Sequence, residues 1–518
     1  MNGAQALIRT LVGCGVDTCF MNPGTSEMHF VAALDGVPEM RGVLALFEGV
    51  ATGAADGYAR MADKPASVLL HLGPGLGNGL ANLHNARKGK VSVVNVVGDH
   101  ATYHKRYDAQ LESDIETVAR NVSRWIRRSQ RGQTIGADTA DAVAAAMGPP
   151  GQVATLILPA DVSWLDGGEV ASPRPRGMRA PVAANVVDRV ATVVRSGEPS
   201  VLLLGGSALR ARGLTAASRV ANTTTAKLLA ETFPTRLERG AGLPPIERLP
   251  YLAEFAAAQL EGTRHLILVD AKAPVSFFAY PGKPSYLVPD ECEVYTLAGD
   301  TQDGAGALAA LAEAVGAARD AATIQAASRP ERPTGALDAQ SACAVIGALL
   351  PEGAIVSDES NTSGALAPMF TAGAPRHDWL CLTGGAIGQG LPVATGAAIA
   401  CPGRKVVCLE SDGSALYTIQ SLWTQAREQL DVVTVLFNNG SYAVLNLELD
   451  RVGARAGGPK AKDMLDLRRP DMDFVKLAQG LGVRASRATT AKELWTQLER
   501  AFAEPGPSLI EAMVPSLL

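Results

Sequence analysis

The chain has 518 residues, 47% of them hydrophobic, with 47 basic against 52 acidic side chains and a formal net charge of −5. That length predicts about three domains with large cores, and the slight acidic excess gives no electrostatic grip on nucleic acid or an anionic membrane. Seven cysteines without a CxxC pair argue for reduced thiols and against a disulfide framework or a zinc site.

No apolar run approaches the ~18 residues of a membrane span, and the N-terminus lacks a basic-then-apolar signal, so a soluble cytoplasmic protein is expected. Ala4, Leu7, Ile8, Leu11 and Val12 fall at helical spacing. Four strands are then expected, each ending in something polar. Strand 16–20 runs into Asn22-Pro23-Gly24-Thr25, 42–47 into Glu48, 66–70 into His71, and 91–97 into Gly98-Asp99-His100. Alternating strands and helices predict a doubly wound parallel sheet over 1–165, with its polar ends on one rim. Gly73, Gly75, Gly77 and Gly79 are read as a loop. Asn78 stands where a dinucleotide fingerprint needs glycine, so close approach to a flat ring or another subunit explains the small residues better.

Residues 166–186 read as a linker rich in Pro, Gly and Arg. A second α/β domain is expected over 185–325, from a strand at 201–204 followed by Gly205-Gly206 and another at 265–270. A second linker, 317–340, leads to a third domain over 335–518. There a strand at 354–356 enters the polar turn Ser357 to Gly364, fit for phosphate oxygens.

The stretch 404–441 carries the most chemistry. A valine-rich strand at 404–409 breaks at Ser411-Asp412-Gly413-Ser414. Leu416, Ile419, Trp423, Ala426 and Leu430 make one helical stripe, and a strand at 431–437 closes on Asn438-Asn439-Gly440. A parallel pair with a right-handed crossover brings both turns to one rim, although Asp412 and Asn439 are 27 residues apart (439 − 412). One carboxylate, one amide oxygen and a nearby backbone carbonyl form an all-oxygen, under-filled set that suits Mg²⁺. The helix opening at Ser414 offers N–H groups to an anion.

An acidic turn followed at this distance by Asn-Asn resembles the diphosphate signature of thiamine-diphosphate (ThDP) enzymes, usually Gly-Asp-Gly, with Ser411 here at the first glycine. The segment from Leu46 to Arg60 resembles the glutamate segment that contacts the aminopyrimidine in those enzymes. His71, Gly77 and Asn78, the Asn22-Pro23-Gly24-Thr25 turn, Phe233-Pro234-Thr235-Arg236 and 269–282 are similar to benzoylformate decarboxylase. Gly384 to Pro392 resembles the loop that carries a large apolar residue under the cofactor. The resemblance spans nearly the whole chain. It implies an α/β protein of three doubly wound parallel-sheet domains, pyrimidine-binding, central and diphosphate-binding, in a ThDP-dependent 2-oxo acid enzyme of the benzoylformate decarboxylase and acetolactate synthase type.

That resemblance also implies roles. Glu48 would protonate N1′ of the aminopyrimidine, and His71 would donate a proton or contact the substrate carboxylate. Asn22, Pro23, Gly24, Thr25, Asn78, Asn361, Thr362, Gly385, Ile387, Asp412, Gly413, Ser414, Asn439, Ser441, Tyr442, Ala443 and Val444 would bind ThDP. Ile387 would prop the thiazolium, and Gly385 would lend a carbonyl to the amino group. Asp412, Asn439 and the Ser441 carbonyl would hold Mg²⁺. The reaction implied is decarboxylation of a 2-oxo acid to a ThDP-bound enamine released as an aldehyde. An alternative is carboligation onto a second carbonyl, since Phe278-Ala279-Tyr280 stands where the decarboxylase has a second histidine. Another is a non-catalytic protein that kept the fold, for which Ser411 is the support. FAD, held by the central domain of some relatives, is not expected, because no extended dinucleotide site is read there. His100 and His104 are possible helpers, and Glu448 stands where the decarboxylase has an aromatic pocket wall. Glu48 and Asp412 would act from different subunits, which requires at least a dimer, with tetramers usual in the family.

Overall fold

Runs of valine and leucine too short for helices become strands buried on both faces, which is what a parallel sheet covered by helices demands. The structure, a computed structural model, describes residues 1–454 and 458–516; positions 517 and 518 of the expected third domain lie outside them. The first sheet holds β1 (Thr18–Met21), β2 (Arg41–Leu44), β3 (Ala66–Leu70), β4 (Val93–Asp99), β5 (Trp125–Arg128) and β6 (Val153–Pro159). Their order is β2-β1-β3-β4-β6-β5, all parallel.

The central sheet begins with β7 (Ser200–Leu204) and β8 (Lys227–Ala230). After them β9 (Leu237–Arg239) departs for the third sheet, while β10 (Glu247–Arg248), β11 (His265–Val269) and β12 (Glu293–Ala298) complete the order β10-β8-β7-β11-β12. The third sheet gathers β13 (Ile355–Glu359), β14 (His377–Cys381), β15 (Val406–Ser411), β16 (Val432–Asn438), β17 (Arg484–Ala488) and β18 (Ser508–Met513). It runs β17-β18-β16-β15-β13-β14-β9, and only β9 is antiparallel. The α/β class with three doubly wound sheets is as expected, with one departure: a strand from the central stretch edges the third sheet.

Two expectations change. The glycine-rich stretch 72–79 is not a loop but the start of a helix, Leu72–Lys88. Glycine's cost in a helix is ~1 kcal/mol each, and packing overrides it: a Cβ on Gly79 would sit 2.8 Å from Thr52 Cγ2, and one on Gly73 would collide with Ser113. The apolar stripe 416–430 is two helices, Asp412–Thr418 and Ser421–Arg427, rather than one.

The first and third sheets are joined by the helices Glu48–Ala62 and Gly390–Ala400. A Cβ on Gly57 would collide with the Val393 carbonyl, and one on Gly396 with the Ala54 carbonyl. Only glycine allows the two backbones this close. Beside this seam lies a fully buried ion pair, Asp56 and Arg60 at 2.6 Å. Arg60 also donates to the carbonyls of Thr235 and Cys381 and to Thr383 Oγ1, so one guanidinium touches all three parts of the chain. Among the described residues no helix is long and apolar enough to cross a membrane.

Candidate active site

The carboxyl ends of β1 to β4 form the first rim. Glu48 is the first residue of its helix, where the dipole favours a carboxylate, and it is only 8% exposed. Its Oε2 accepts from Asn78 Nδ2 at 3.0 Å. A Cβ on Gly75 would lie 3.2 Å from Glu48 Oε1 and 3.4 Å from His71 Cβ. The chain therefore brings Glu48, Asn78 and His71 together beside one glycine, Gly75. The Asn22-Pro23-Gly24-Thr25 turn lies against His71, since a Cβ on Gly24 would collide with the imidazole.

Sequence reasoning missed Glu27. Its Oε2 is 2.8 Å from His71 Nδ1 and accepts from the Gly24 amide at 2.8 Å, while Ser26 Oγ donates to Oε1 at 2.6 Å. Glu27 is 1% exposed, and a Cβ on Gly98 would collide with its Oε1. A carboxylate only accepts, so Nδ1 carries the proton and Nε2 is left for the rim. The available signal was an acid three residues after Gly24, in helix-capping position. His100 and His104 follow β4 and pair with each other, ring centroids 5.3 Å apart.

The second rim is the head of β15 and β16. Asp412 Oδ2 accepts from the Gly440 amide at 2.7 Å and the Asn439 amide at 3.1 Å, and Oδ1 accepts from the Gly413 amide at 2.8 Å. Burial pushes this carboxyl up, against the pull of those three amides. Asn439 Oδ1 accepts from the Ser441 amide at 2.9 Å, and its Nδ2 donates to Ser363 Oγ at 3.1 Å. The predicted pair is thus one unit. A carboxylate has about four acceptor positions, and three N–H groups leave room on Asp412 for a hard cation, so the donor set fits Mg²⁺. Asn361, at φ +48°, donates from Nδ2 to Ser411 Oγ at 2.7 Å and Ser414 Oγ at 3.1 Å. The Tyr442 ring covers this turn closely enough that a Cβ on Gly413 would collide with it. Thr362 and Val444 beside it are half-buried, and Ala443 is buried.

The Gly384–Gly388 loop lies between the rims. Gly385 has φ +74°, and Ile387 is half-buried. The loop is tied to its own chain's first domain. Asn82 Nδ2 donates to the carbonyls of both Gly49 (2.8 Å) and Gly388 (3.0 Å), and Asn85 brackets Ala386 with its Nδ2 and Oδ1. From below, Glu359 accepts from the Gly388 amide at 2.7 Å. Burial pushes the Glu359 carboxyl up to about 7, and burial beside Glu359 raises that of neighbouring Glu410 as well. From the central part, a Cβ on Gly385 would be 2.5 Å from Phe277 Cζ. Phe277 packs on Tyr251 at 5.3 Å, and Tyr251 OH donates to Glu448 Oε1 at 3.2 Å. Glu448 therefore meets aromatics and Arg451 (3.3 Å).

An acid and an imidazole on one rim, with a carboxylate and amide-rich turns on another, are an arrangement suited to a cofactor-dependent enzyme. Residues 1–119 match the thiamine pyrophosphate enzyme N-terminal TPP binding domain, and residues 359–512 match its C-terminal TPP binding domain. The chain is 64% identical over 521 residues, with 100% of both chains covered, to a Mycobacterium tuberculosis protein provisionally named acetolactate synthase large subunit IlvX. It is 29% identical over 528 residues, 96% of each, to benzoylformate decarboxylase of Pseudomonas aeruginosa. A solved structure, the ThDP-dependent 4-hydroxybenzoylformate decarboxylase of Rhodococcus jostii RHA1, shares the fold at TM-score 0.86 with 23% identity, covering 99% of each chain. This chain belongs to the thiamine pyrophosphate enzyme family.

Proposed function

We propose that this chain is a ThDP- and Mg²⁺-dependent enzyme that decarboxylates a small 2-oxo acid and releases an aldehyde. The observation that carries the reading is the Glu27–His71 pair beside Glu48: a buried carboxyl 2.8 Å from Nδ1 fixes the ring and leaves Nε2 to pass a proton at the rim. Bound ThDP would supply the electron sink for loss of carbon dioxide. Asp412, Asn439 and the Ser441 carbonyl would hold Mg²⁺, and Gly413, Ser414, Asn361 and Thr362 would meet the diphosphate. Tyr442, Ala443 and Val444 would flank it. Asn22, Pro23, Gly24, Thr25 and Asn78 would line the opposite side. Glu48 would hold a proton against N1′ of the aminopyrimidine, with Ile387 under the ring and the Gly385 carbonyl facing the amino group. His71 Nε2 would deliver the proton that completes the aldehyde.

The three parts follow the boundaries 1–165, 185–325 and 335–518. Two copies would share each site in a cytoplasmic homo-oligomer, a dimer or a tetramer. Exposed apolar side chains beside both rims support that pairing: Leu46, Tyr103 and Tyr107 on one, Leu416, Tyr417 and Leu445 on the other. Carboligation is the second reading. It is favoured by the relative provisionally named acetolactate synthase and by Phe278-Ala279-Tyr280 in place of a second histidine. The test is incubation with ThDP, Mg²⁺ and either pyruvate or an aryl 2-oxo acid. Aldehyde as main product supports the first reading, acyloin the second, and absence of Mg²⁺-dependent ThDP binding refutes both.

A further inference from the structure

The central sheet has the order β10-β8-β7-β11-β12, all parallel. Numbered within its own domain that order is 3-2-1-4-5, the dinucleotide-binding arrangement. In such sheets the diphosphate rests on the glycine turn after the first strand, and an acid after the second strand holds a ribose. Both pieces are present: β7 enters Gly205-Gly206-Ser207, and β8 ends before Glu231.

These pieces are already engaged with each other. Glu231 Oε1 accepts from the Gly206 amide at 3.2 Å. Asp270, directly after β11, reaches across with Oδ2 to accept from the Ser207 amide at 3.0 Å and from Ser207 Oγ at 3.3 Å. Gly206 has φ +46°, and a Cβ on it would collide with Asp270 Oδ2. The carboxylate thus lies on the turn as closely as a phosphate oxygen would. Asp270 is 3% exposed and carries its own counter-charges. Arg179 Nη1, from the first linker, is 3.2 Å from Oδ2, and Lys90 Nζ, from the first domain, is 3.5 Å from Oδ1. Arg179 also donates to the carbonyls of Asp300 and Gln302.

We propose that Asp270 and Glu231 themselves occupy the diphosphate position of the central domain, closing it to FAD and other adenine dinucleotides. A bound diphosphate would have to displace the Asp270 and Glu231 side chains from two amide donors and two cations at once. The same contacts make the crevice a tie between the first domain, the linker and the central sheet. This inference is independent of which reaction the ThDP site performs.

The test uses the full-length protein loaded with ThDP and Mg²⁺. Wild type is titrated with FAD, NAD⁺ and ADP, following flavin fluorescence and thermal midpoint, and is expected to show no saturable response. The Asp270→Ala variant and the Asp270→Ala, Glu231→Gln double variant, with folding checked by circular dichroism, are expected to bind ADP and FAD at least about tenfold more tightly than wild type. Saturable binding of FAD or ADP by wild type overturns the proposal, as does a folded double variant no more receptive than wild type. Should both variants fail to fold, the wild-type titration still decides.

Discussion

Glu48→Gln isolates the proton from everything else the side chain does. Glutamine keeps the shape and can still accept from Asn78 Nδ2, which now reaches Glu48 Oε2 at 3.0 Å. Its loss of charge at a helix start costs ~0.3–1 kcal/mol, too little to unfold the chain. If Glu48 is the acid–base group, turnover should drop ~10²- to 10⁴-fold, about 3–5 kcal/mol of barrier, while Mg²⁺-dependent ThDP binding, followed by intrinsic fluorescence, stays near wild type. Asp412→Asn is the complement. Gly413, Asn439 and Gly440 all point amides at this carboxylate, and an amide cannot accept from all three and from a cation as well, so cofactor binding itself should fail. Each variant alone is then inactive. If the sites are shared between chains, a hybrid dimer has one site with both residues intact, and random mixing should recover about a quarter of wild-type activity. No recovery in verified hybrids refutes the shared site. Near-normal turnover of Glu48→Gln refutes the role of the acid.

Glu27→Gln should leave ThDP affinity unchanged while lowering kcat. A charge-assisted hydrogen bond is worth ~1.5–3 kcal/mol, or about 10- to 150-fold in kcat at unchanged KM; a lowered thermal midpoint with kcat intact reduces Glu27 to a structural role. Gly57→Ala would gain ~1 kcal/mol of helix propensity but drives a methyl into the Val393 carbonyl, where overpacking costs ~1–3 kcal/mol or more; a raised thermal midpoint would contradict the close seam. His377 donates from Nδ1 to the Pro375 carbonyl at 2.7 Å, and its Nε2 is buried with no partner among the described residues. Burial and nearby Arg239 hold its imidazole down to about 4, from an ordinary 6.5. The unfolded chain therefore takes the proton first as pH falls. This stability is intact above pH 6.5 and lost between 6.5 and 4, on the order of 3 kcal/mol. Denaturant midpoints of wild type and His377→Gln should diverge from pH 6.5 to 5, with the variant flatter.

Much of the site was legible because it depends on topology. Asp412 and Asn439 directly follow neighbouring parallel strands, so the crossover rule alone places them together, and Glu48 opens the helix that follows β2. What was not legible depends on burial. Glycines at 73, 75 and 79 read as a loop by composition, yet each faces a packed neighbour, and that contact keeps them helical. Glu27 looked like one more polar turn residue until the space left by Gly98 admitted its carboxylate. In the central domain a glycine turn without a third glycine hid a dinucleotide-type strand order, and no local pattern could announce that Asp270, 64 residues after Gly206 (270 − 206), would fold back onto it.

Ser411 bears on whether the chain is catalytic at all. Where a turn needs positive φ, serine in place of glycine would strain the turn before Asp412. Here Ser411 has φ −101° and ψ 149°, ordinary extended backbone, so the position makes no demand for glycine. Its hydroxyl donates to the Glu359 carbonyl at 3.0 Å and accepts from Asn361 Nδ2 at 2.7 Å, which fixes the asparagine that also donates to Ser414 Oγ. Ser411→Gly should then weaken the cradle instead of restoring it. Two net hydrogen bonds at ~0.5–1.5 kcal/mol each and glycine's added backbone freedom of ~0.5–1 kcal/mol predict about 1.5–4 kcal/mol lost between stability and ThDP binding. Calorimetric titration with ThDP, paired with thermal melts, measures both. Tighter binding by the glycine variant would mean that serine does handicap this site, and the non-catalytic reading would regain its footing.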